Sequence, residues 1–261
     1  MIKEAIILAG GLGTRLQSVV SDVPKCMAPV NGIPFINFVI SYLKNEGVER
    51  FILSLGYKSE IVVEYITKTF TNIDIEYVVE DKPLGTGGAI KLACNKVKGS
   101  DVLVLNGDTL FTVNIKDFTG VHKMKNADIT IALKEMKHFN RYGTVEIDTN
   151  FTLKEFREKQ FCEKGLINGG VYALNVTAFL SEGLPEVFSF EKDFLEKNTG
   201  RITFCGMPCD NYFIDIGIPE DYNKFIDDYK LIQLNKKIKD FPGTNNFIGE
   251  VFFEGLFTLL D

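Results

Sequence analysis

The chain has 261 residues, 45% of them hydrophobic and 25% charged, the balance of an ordinary globular protein. A chain of this length buries about three-quarters of its unfolded surface on folding, so it needs no disulfide or metal staple. Its formal net charge of −6 argues against non-specific nucleic-acid binding, and no run approaches the roughly 18 apolar residues of a membrane span.

The five cysteines are odd in number and form no CxxC pair. Only two histidines, His122 and His138, are present to complete a metal site with Cys205 and Cys209. The cysteines are therefore expected to be reduced thiols of a cytoplasmic protein. The N-terminal apolar run is too short, and too soon followed by glycines, for a signal peptide.

In chain order, residues 5–9 form a continuous apolar run that reads as a buried strand, ending at Gly10-Gly11-Leu12-Gly13. A loop runs to Pro24. The spacing of Phe35, Phe38, Val39, Tyr42 and Leu43 predicts a helix over 34–46, stopped by Gly47. Strand 51–55, helix 59–70 and strand 73–79 follow. A glycine loop at 83–88 opens a helix through Lys96, and strand 102–105 ends at Asn106-Gly107-Asp108. Strands alternating with helices predict an α/β fold, Rossmann-like and three-layered, with a mixed, mainly parallel sheet and helices on both faces. In such folds the loops after the strands line the ligand edge.

From about residue 127 the gaps shorten, with strands expected at 129–134, 144–147, 151–157 and 170–174 and a closing helix at 220–238. This half reads as an extension of the same sheet. The expected organisation is one domain over 1–240, in two halves at about 1–126 and 127–240. Residues 241–261 form a Phe-rich tail of unassigned role.

The loop after the first strand is Gly10-Gly11-Leu12-Gly13-Thr14-Arg15-Leu16. It lacks the Gly-Lys-Ser/Thr of a Walker A loop, and Leu16 stands where a dinucleotide fingerprint has its third glycine. Glycines let backbone N–H groups approach phosphate oxygens, and Arg15 adds a fork suited to phosphate. The plain alternative is a tight loop with a surface arginine. Lys25 lies between Pro24 and Pro29 on a stiffened segment, which suits a fixed phosphate ligand better than a solvated charge. Asp108, at a strand end, suits Mg²⁺, which takes hard oxygen ligands and needs only one or two carboxylates.

LAGGLGTRL followed by PKCMAPV resembles the signature of sugar-1-phosphate nucleotidylyltransferases, with Cys26 where a proline is expected. The resemblance covers roughly residues 3–230 and implies the nucleotide-diphospho-sugar transferase fold. It implies that Leu8, Gly10, Gly11, Gly13, Thr14 and Arg15 hold the triphosphate and that Lys25 neutralises the reacting phosphate. Leu84-Gly85-Thr86-Gly87-Gly88-Ala89 resembles the family's loop against the nucleobase. Phe213-Ile214-Asp215-Ile216-Gly217 through Tyr222 resembles its DIG element, with Ile218 in place of threonine, and implies that Asp108 and Asp215 share one Mg²⁺. Tyr142-Gly143, Phe156-Arg157-Glu158-Lys159 and Asn168-Gly169-Gly170-Val171-Tyr172 resemble its sugar-phosphate elements. They assign Gly143, Glu158, Lys159, Asn168 and Gly169 to the sugar 1-phosphate. Glu191-Lys192-Asp193 matches a helix start and reads equally as capping acids.

Glu80 bears on the base. A carboxylate only accepts hydrogen bonds. Guanine offers donors at N1 and N2, whereas uracil or thymine offers one donor flanked by acceptors, so Glu80 points to GTP; the plain alternative is a solvent-facing acid. Within the family the strongest likeness is to guanylyltransferases of D-glycero-α-D-manno-heptose 1-phosphate. The alternatives are the same reaction with mannose 1-phosphate and GTP, glucose 1-phosphate and dTTP or UTP, or N-acetylmuramate 1-phosphate and UTP. From other classes stand a silent nucleotide-binding module and a dinucleotide oxidoreductase. The expected partners are a nucleoside triphosphate and a sugar 1-phosphate, with no nucleic acid and no membrane. Family members often associate, which makes the tail a candidate homo-oligomer interface; its end also reads as the first strand of a fused phosphatase domain.

Overall fold

The computed structural model describes residues 1–239 apart from Leu12 and Glu158, without the side chains of 235–239. The expectations for the tail at 241–261 therefore fall outside the described residues. The elements run β1 (Glu4–Ala9), a tight turn at Lys25–Met27, β2 (Pro29–Val30), β3 (Ile33–Pro34), α1 (Phe35–Asn45), β4 (Arg50–Leu55), α2 (Ser59–Thr69), β5 (Asp74–Val79), α3 (Gly85–Cys94) and β6 (Asp101–Asn106). There follow β7 (Thr109–Phe111), α4 (Ile115–Met124), β8 (Ile129–Phe139), β9 (Thr144–Ile147), β10 (Leu153–Arg157), β11 (Cys162–Asn175) and α5 (Val176–Ser181). A wide helical turn at Phe190–Leu195, α6 (Glu196–Asn198), β12 (Phe204–Pro208), β13 (Phe213–Asp215) and α7 (Pro219–Lys239) complete the order.

The main sheet runs β10-β9-β11-β6-β1-β4-β5, and β8 adds to β11 with β12 beyond it. The β6-β1-β4-β5 segment is parallel. β1, β4 and β6 are largely apolar because both faces are covered, whereas β5 at the edge is half-exposed. Alternate residues point to opposite sides. Ala5, Ile7, Phe51, Leu53, Leu103 and Leu105 join a core with α1, α2, α4 and α7. Ile6, Ile52, Val102 and Val104 join a second core with α3, α5 and the 190–195 turn. This is the expected three-layer arrangement.

Aromatic rings lock each layer. Phe225 of α7 meets Phe35 and Phe38 of α1 edge-on at 5.1 and 5.2 Å between centroids. On the other face Phe179, Phe190 and Phe194 pack on one another, with Tyr172 of β11 edge-on to Phe190 at 5.1 Å. Such pairs add about 0.5–1.5 kcal/mol each beyond area burial.

The structure corrects the sequence reading in three places. Residues 85–88 are not loop but the first turn of α3. The strand expected at 170–174 is the end of the fourteen-residue β11. β2, β3, β7, α4, α5, α6, β12 and β13 were not foreseen: β2, β3, β7, α6 and β13 have two or three residues each, too few to show a period, and in α4 Gly120 and several charges dilute the apolar stripe.

Among the described residues no helix is long and apolar enough to cross a membrane.

Candidate active site

The four parallel strands end together. Ala9 is in register with Leu55 and Leu55 with Val79, while Leu8 faces Asn106. Their following loops, beginning at Gly10, Gly56, Glu80 and Gly107, therefore line one edge of the sheet. A Cβ on Gly10 would stand 2.8 Å from Glu80 Oε1 and 3.2 Å from the Gly56 nitrogen. Only glycine lets the Glu80 carboxylate lie this close to the phosphate loop.

A short antiparallel ribbon brings the two aspartates together. β13 pairs with β7 so that Asp215 lies opposite Thr109. The Ile216 N–H donates to the Asp108 carbonyl at 3.0 Å. The Lys25 ammonium forms an ion pair with Asp108 Oδ2 and lies 3.7 Å from Asp215 Oδ1. Burial raises the Asp215 carboxyl above its usual range; Asp108 adds to the rise and Lys25 opposes it. Among the described residues no group of three or more His, Cys, Asp or Glu is placed to hold a metal. The Asp108–Asp215 pair thus fits a cation that takes its remaining ligands from water and substrate phosphate, as Mg²⁺ does, and not a cation caged by protein alone.

Three hollows meet around this pair. Leu8, Gly11, Gly13, Thr14, Arg15, Lys25 and Gly107 line the first, beside Asp108. The second holds Leu8, Gly10, Ser54, Tyr57, Glu80, Pro83, Gly85, Thr86 and Asp108. The third holds Arg15, Lys25, Asp108, Arg141, Gly143, Lys159, Asn168, Gly169, Lys192 and Asp215. Asp108 borders all three, and Asn106 and Glu191 border the second and third. The arrangement is one branched cleft, with cations clustered around its centre despite the acidic net charge.

In the second hollow, Glu80 Oε2 accepts the Leu84 N–H at 2.9 Å. Burial of Glu80 raises its carboxyl above the usual range, and that backbone donor opposes the shift. The neighbouring glycines divide in role. Gly85 and Thr86 line the hollow. Gly87 is buried, its N–H donating to the Phe188 carbonyl at 3.0 Å, and a Cβ there would stand 2.2 Å from the Phe188 ring. Gly87 is thus a packing residue, which corrects its assignment to the nucleotide. Thr86 Oγ1 donates to Glu191 at 2.8 Å and accepts the Phe190 N–H at 2.9 Å, clasping the 186–191 strap to α3. Gly87→Val is expected to destabilise the fold by about 1–3 kcal/mol through overpacking, read as a fall in Tm of several degrees. An unchanged Tm would mean the strap does not bear on α3.

In the third hollow, a register shift in β11 between Asn168 and Tyr172 turns Asn168 and Gly169 toward the cleft. Asn168 Nδ2 donates to the Tyr172 hydroxyl at 2.8 Å, and its backbone N–H donates to the Gly143 carbonyl at 3.1 Å. Gly169 packs on the Phe111 ring. Lys159 is exposed on the rim. Glu158, assigned with it, lies outside the described residues. Arg141 escaped the sequence reading. It forms an ion pair with Asp221 of α7, and its Nη2 lies 3.3 Å from the Tyr142 hydroxyl. Its Nη1 is buried with no hydrogen-bond partner among the described residues. Its place directly before Tyr142-Gly143 was the available signal. Tyr57, which lines the second hollow, was likewise missed.

The family model described as "Nucleotidyl transferase" matches residues 4–230. The D-glycero-alpha-D-manno-heptose 1-phosphate guanylyltransferase of Aneurinibacillus thermoaerophilus is 50% identical over 221 residues, covering 85% of this chain and 96% of that protein. The protein of the same name from Campylobacter jejuni is 46% identical over 223 residues, covering 85% of this chain and 98% of its own length. Among solved structures, HddC from Yersinia pseudotuberculosis complexed with GMP-PN is similar with a TM-score of 0.77 at 38% identity, over 87% of this chain and all of that one.

Proposed function

The chain belongs to the nucleotidyl transferase family, and on that premise we propose that it transfers a guanylyl group from GTP to D-glycero-α-D-manno-heptose 1-phosphate. The products are a GDP-sugar and pyrophosphate. The observation that carries this reading is the branched cleft with Asp108 at its junction. A reaction between two phosphates needs a nucleoside pocket, a sugar pocket and a phosphate groove meeting at one charged point. The two heptose-phosphate guanylyltransferases near half identity support the substrate pair.

An oxygen of the sugar phosphate attacks the α-phosphorus. A new P–O bond forms as the bond to the bridging oxygen breaks, and its electron pair leaves with pyrophosphate. Two anions must meet, so the protein's work is to position them and neutralise their charge. Arg15 holds the leaving phosphates, Lys25 serves the α-phosphate, and Lys159 holds the incoming sugar phosphate with Gly143, Glu158, Asn168 and Gly169. Asp108 and Asp215 hold Mg²⁺, which supplies Lewis-acid charge neutralisation and a template. Leu8, Gly10, Gly11, Gly13 and Thr14 line the triphosphate, and Glu80, Gly85 and Thr86 face the nucleoside. The two halves work as one domain, in the cytoplasm, without nucleic-acid or membrane partners.

The test is pyrophosphate release with Mg²⁺, each of the four common nucleoside triphosphates being paired with heptose, mannose and glucose 1-phosphates. Release with GTP and the heptose phosphate is expected; release only with UTP or dTTP would sink the base assignment. Glu80→Gln is expected to lower the GTP-over-UTP preference in kcat/KM at least tenfold, roughly the effect of one hydrogen bond to a charged group. An unchanged ratio would take Glu80 out of base reading.

A further inference from the structure

Lys25 is expected to meet substrate phosphate, yet its ammonium is committed to two carboxylates. It is ion-paired to Asp108 and lies 3.7 Å from Asp215, with its side chain only 11% exposed. Those two carboxylates are the ones that fit Mg²⁺. Partly buried carboxylates without a counter-charge are costly. The ammonium therefore supplies the pair with positive charge, as a bound metal would. A divalent ion entering beside it meets like charge at short range, with twice the repulsion felt by a monovalent ion.

The surroundings supply a way out for Lys25. It opens the Lys25–Met27 turn, where the Met27 N–H donates to the Pro24 carbonyl at 2.7 Å and the Ala28 N–H to the Lys25 carbonyl at 3.0 Å. Its backbone is fixed and only the side chain is left to move. The stem lies against the phosphate loop: a Cβ on Gly13 would stand 2.9 Å from Lys25 Cβ. Lys25 also borders both the phosphate hollow and the sugar hollow. Phosphates arriving on residues 10–15 would thus reach the ammonium with a competing anion.

We propose that Lys25 is the resident counter-cation of the Asp108–Asp215 pair, so that a divalent ion joins the pair only together with the nucleoside triphosphate, whose phosphates draw Lys25 away. This rests on the Mg²⁺ site proposed above. The exchange leaves neither anion unpaired: the ammonium passes from carboxylate to phosphate as the ion takes the carboxylates. It makes metal entry dependent on nucleotide, and it gives Lys25 a role before the reaction as well as during it.

Mn²⁺ binding, followed through the electron paramagnetic resonance signal of the free ion, tests the exchange without recourse to turnover. Without nucleotide, wild type is expected to bind Mn²⁺ at least tenfold more weakly than Lys25→Met. The gain should vanish in Lys25→Met/Asp108→Asn, which locates it at the pair. With a non-hydrolysable GTP analogue, wild type is expected to retain Mn²⁺ at least tenfold better than Asp108→Asn under the same conditions, which accounts for ion carried by the analogue itself. If Lys25→Met does not fold, as its thermal melt would show, the wild-type comparison with and without analogue decides alone. Wild type binding Mn²⁺ at Asp108 equally well with and without analogue overturns the proposal, as does a folded Lys25→Met that gains no Mn²⁺ affinity. The substrate reading fails separately: intact Mn²⁺ exchange with no pyrophosphate release from GTP and heptose phosphate refutes the substrate pair and leaves the exchange standing.

Discussion

Arg15→Ala is expected to cut kcat/KM for the nucleotide by about 10²–10³-fold while leaving the fold unchanged. Arg15 is exposed at the junction of the phosphate and sugar hollows. Its guanidinium makes no ion pair among the described residues, so its removal strands no buried partner. Its proposed work lies on the leaving phosphates, where negative charge grows as the bridging bond breaks. A donor aimed at developing charge in such a site is worth roughly 2.7–4 kcal/mol. Initial rates of pyrophosphate release against GTP concentration, with a thermal melt as control, provide the measurement. A loss under threefold with an unaltered Tm would assign the leaving phosphates to another residue.

Asp108→Asn carries the second large effect, a fall in kcat on the order of 10³-fold. The amide keeps the shape of the side chain and removes its charge at the point where the three hollows meet. It also leaves the Lys25 ammonium with Asp215 as its remaining carboxylate within 4 Å. Because Asp108 does not face the guanine ring or the sugar hydroxyls in the proposed arrangement, KM should move much less than kcat. Activity within tenfold of wild type at saturating Mg²⁺ would remove Asp108 from the metal site.

The central strands were legible in the sequence because both faces of β1, β4 and β6 are buried, which makes residues 5–9 and 102–105 unbroken apolar runs and 51–55 a run broken only by Ser54. The tight loop after β1 and the turn at Lys25 were legible because glycine and proline mark backbone geometry directly. Long-range geometry was not. Nothing in residues 213–215 announces that they pair with 109–111, yet that ribbon is what brings Asp215 to Asp108; only the family resemblance connected them. Gly87 looked like a ligand contact because glycine permits any close approach, and a sequence cannot say whether the approaching group is a nucleobase or the strap at 186–188. Arg141 was passed over because its partner Asp221 is eighty residues away.

β11 hydrogen-bonds to β6 along residues 171–175 and to β9 along residues 166–167, while β8 follows both stretches. One backbone thus holds the parallel and antiparallel strands in a common frame, and severing it would leave two incomplete sheets. Asn168 and Gly169 border the third hollow from a part of β11 that precedes its pairing with β6. Side chains around that hollow are the natural points of change for a designer. Exchanging them would alter the wall beside the proposed acceptor and leave the register of β11 on β6 untouched, so new acceptor preference is more readily engineered into this scaffold than a new phosphate chemistry.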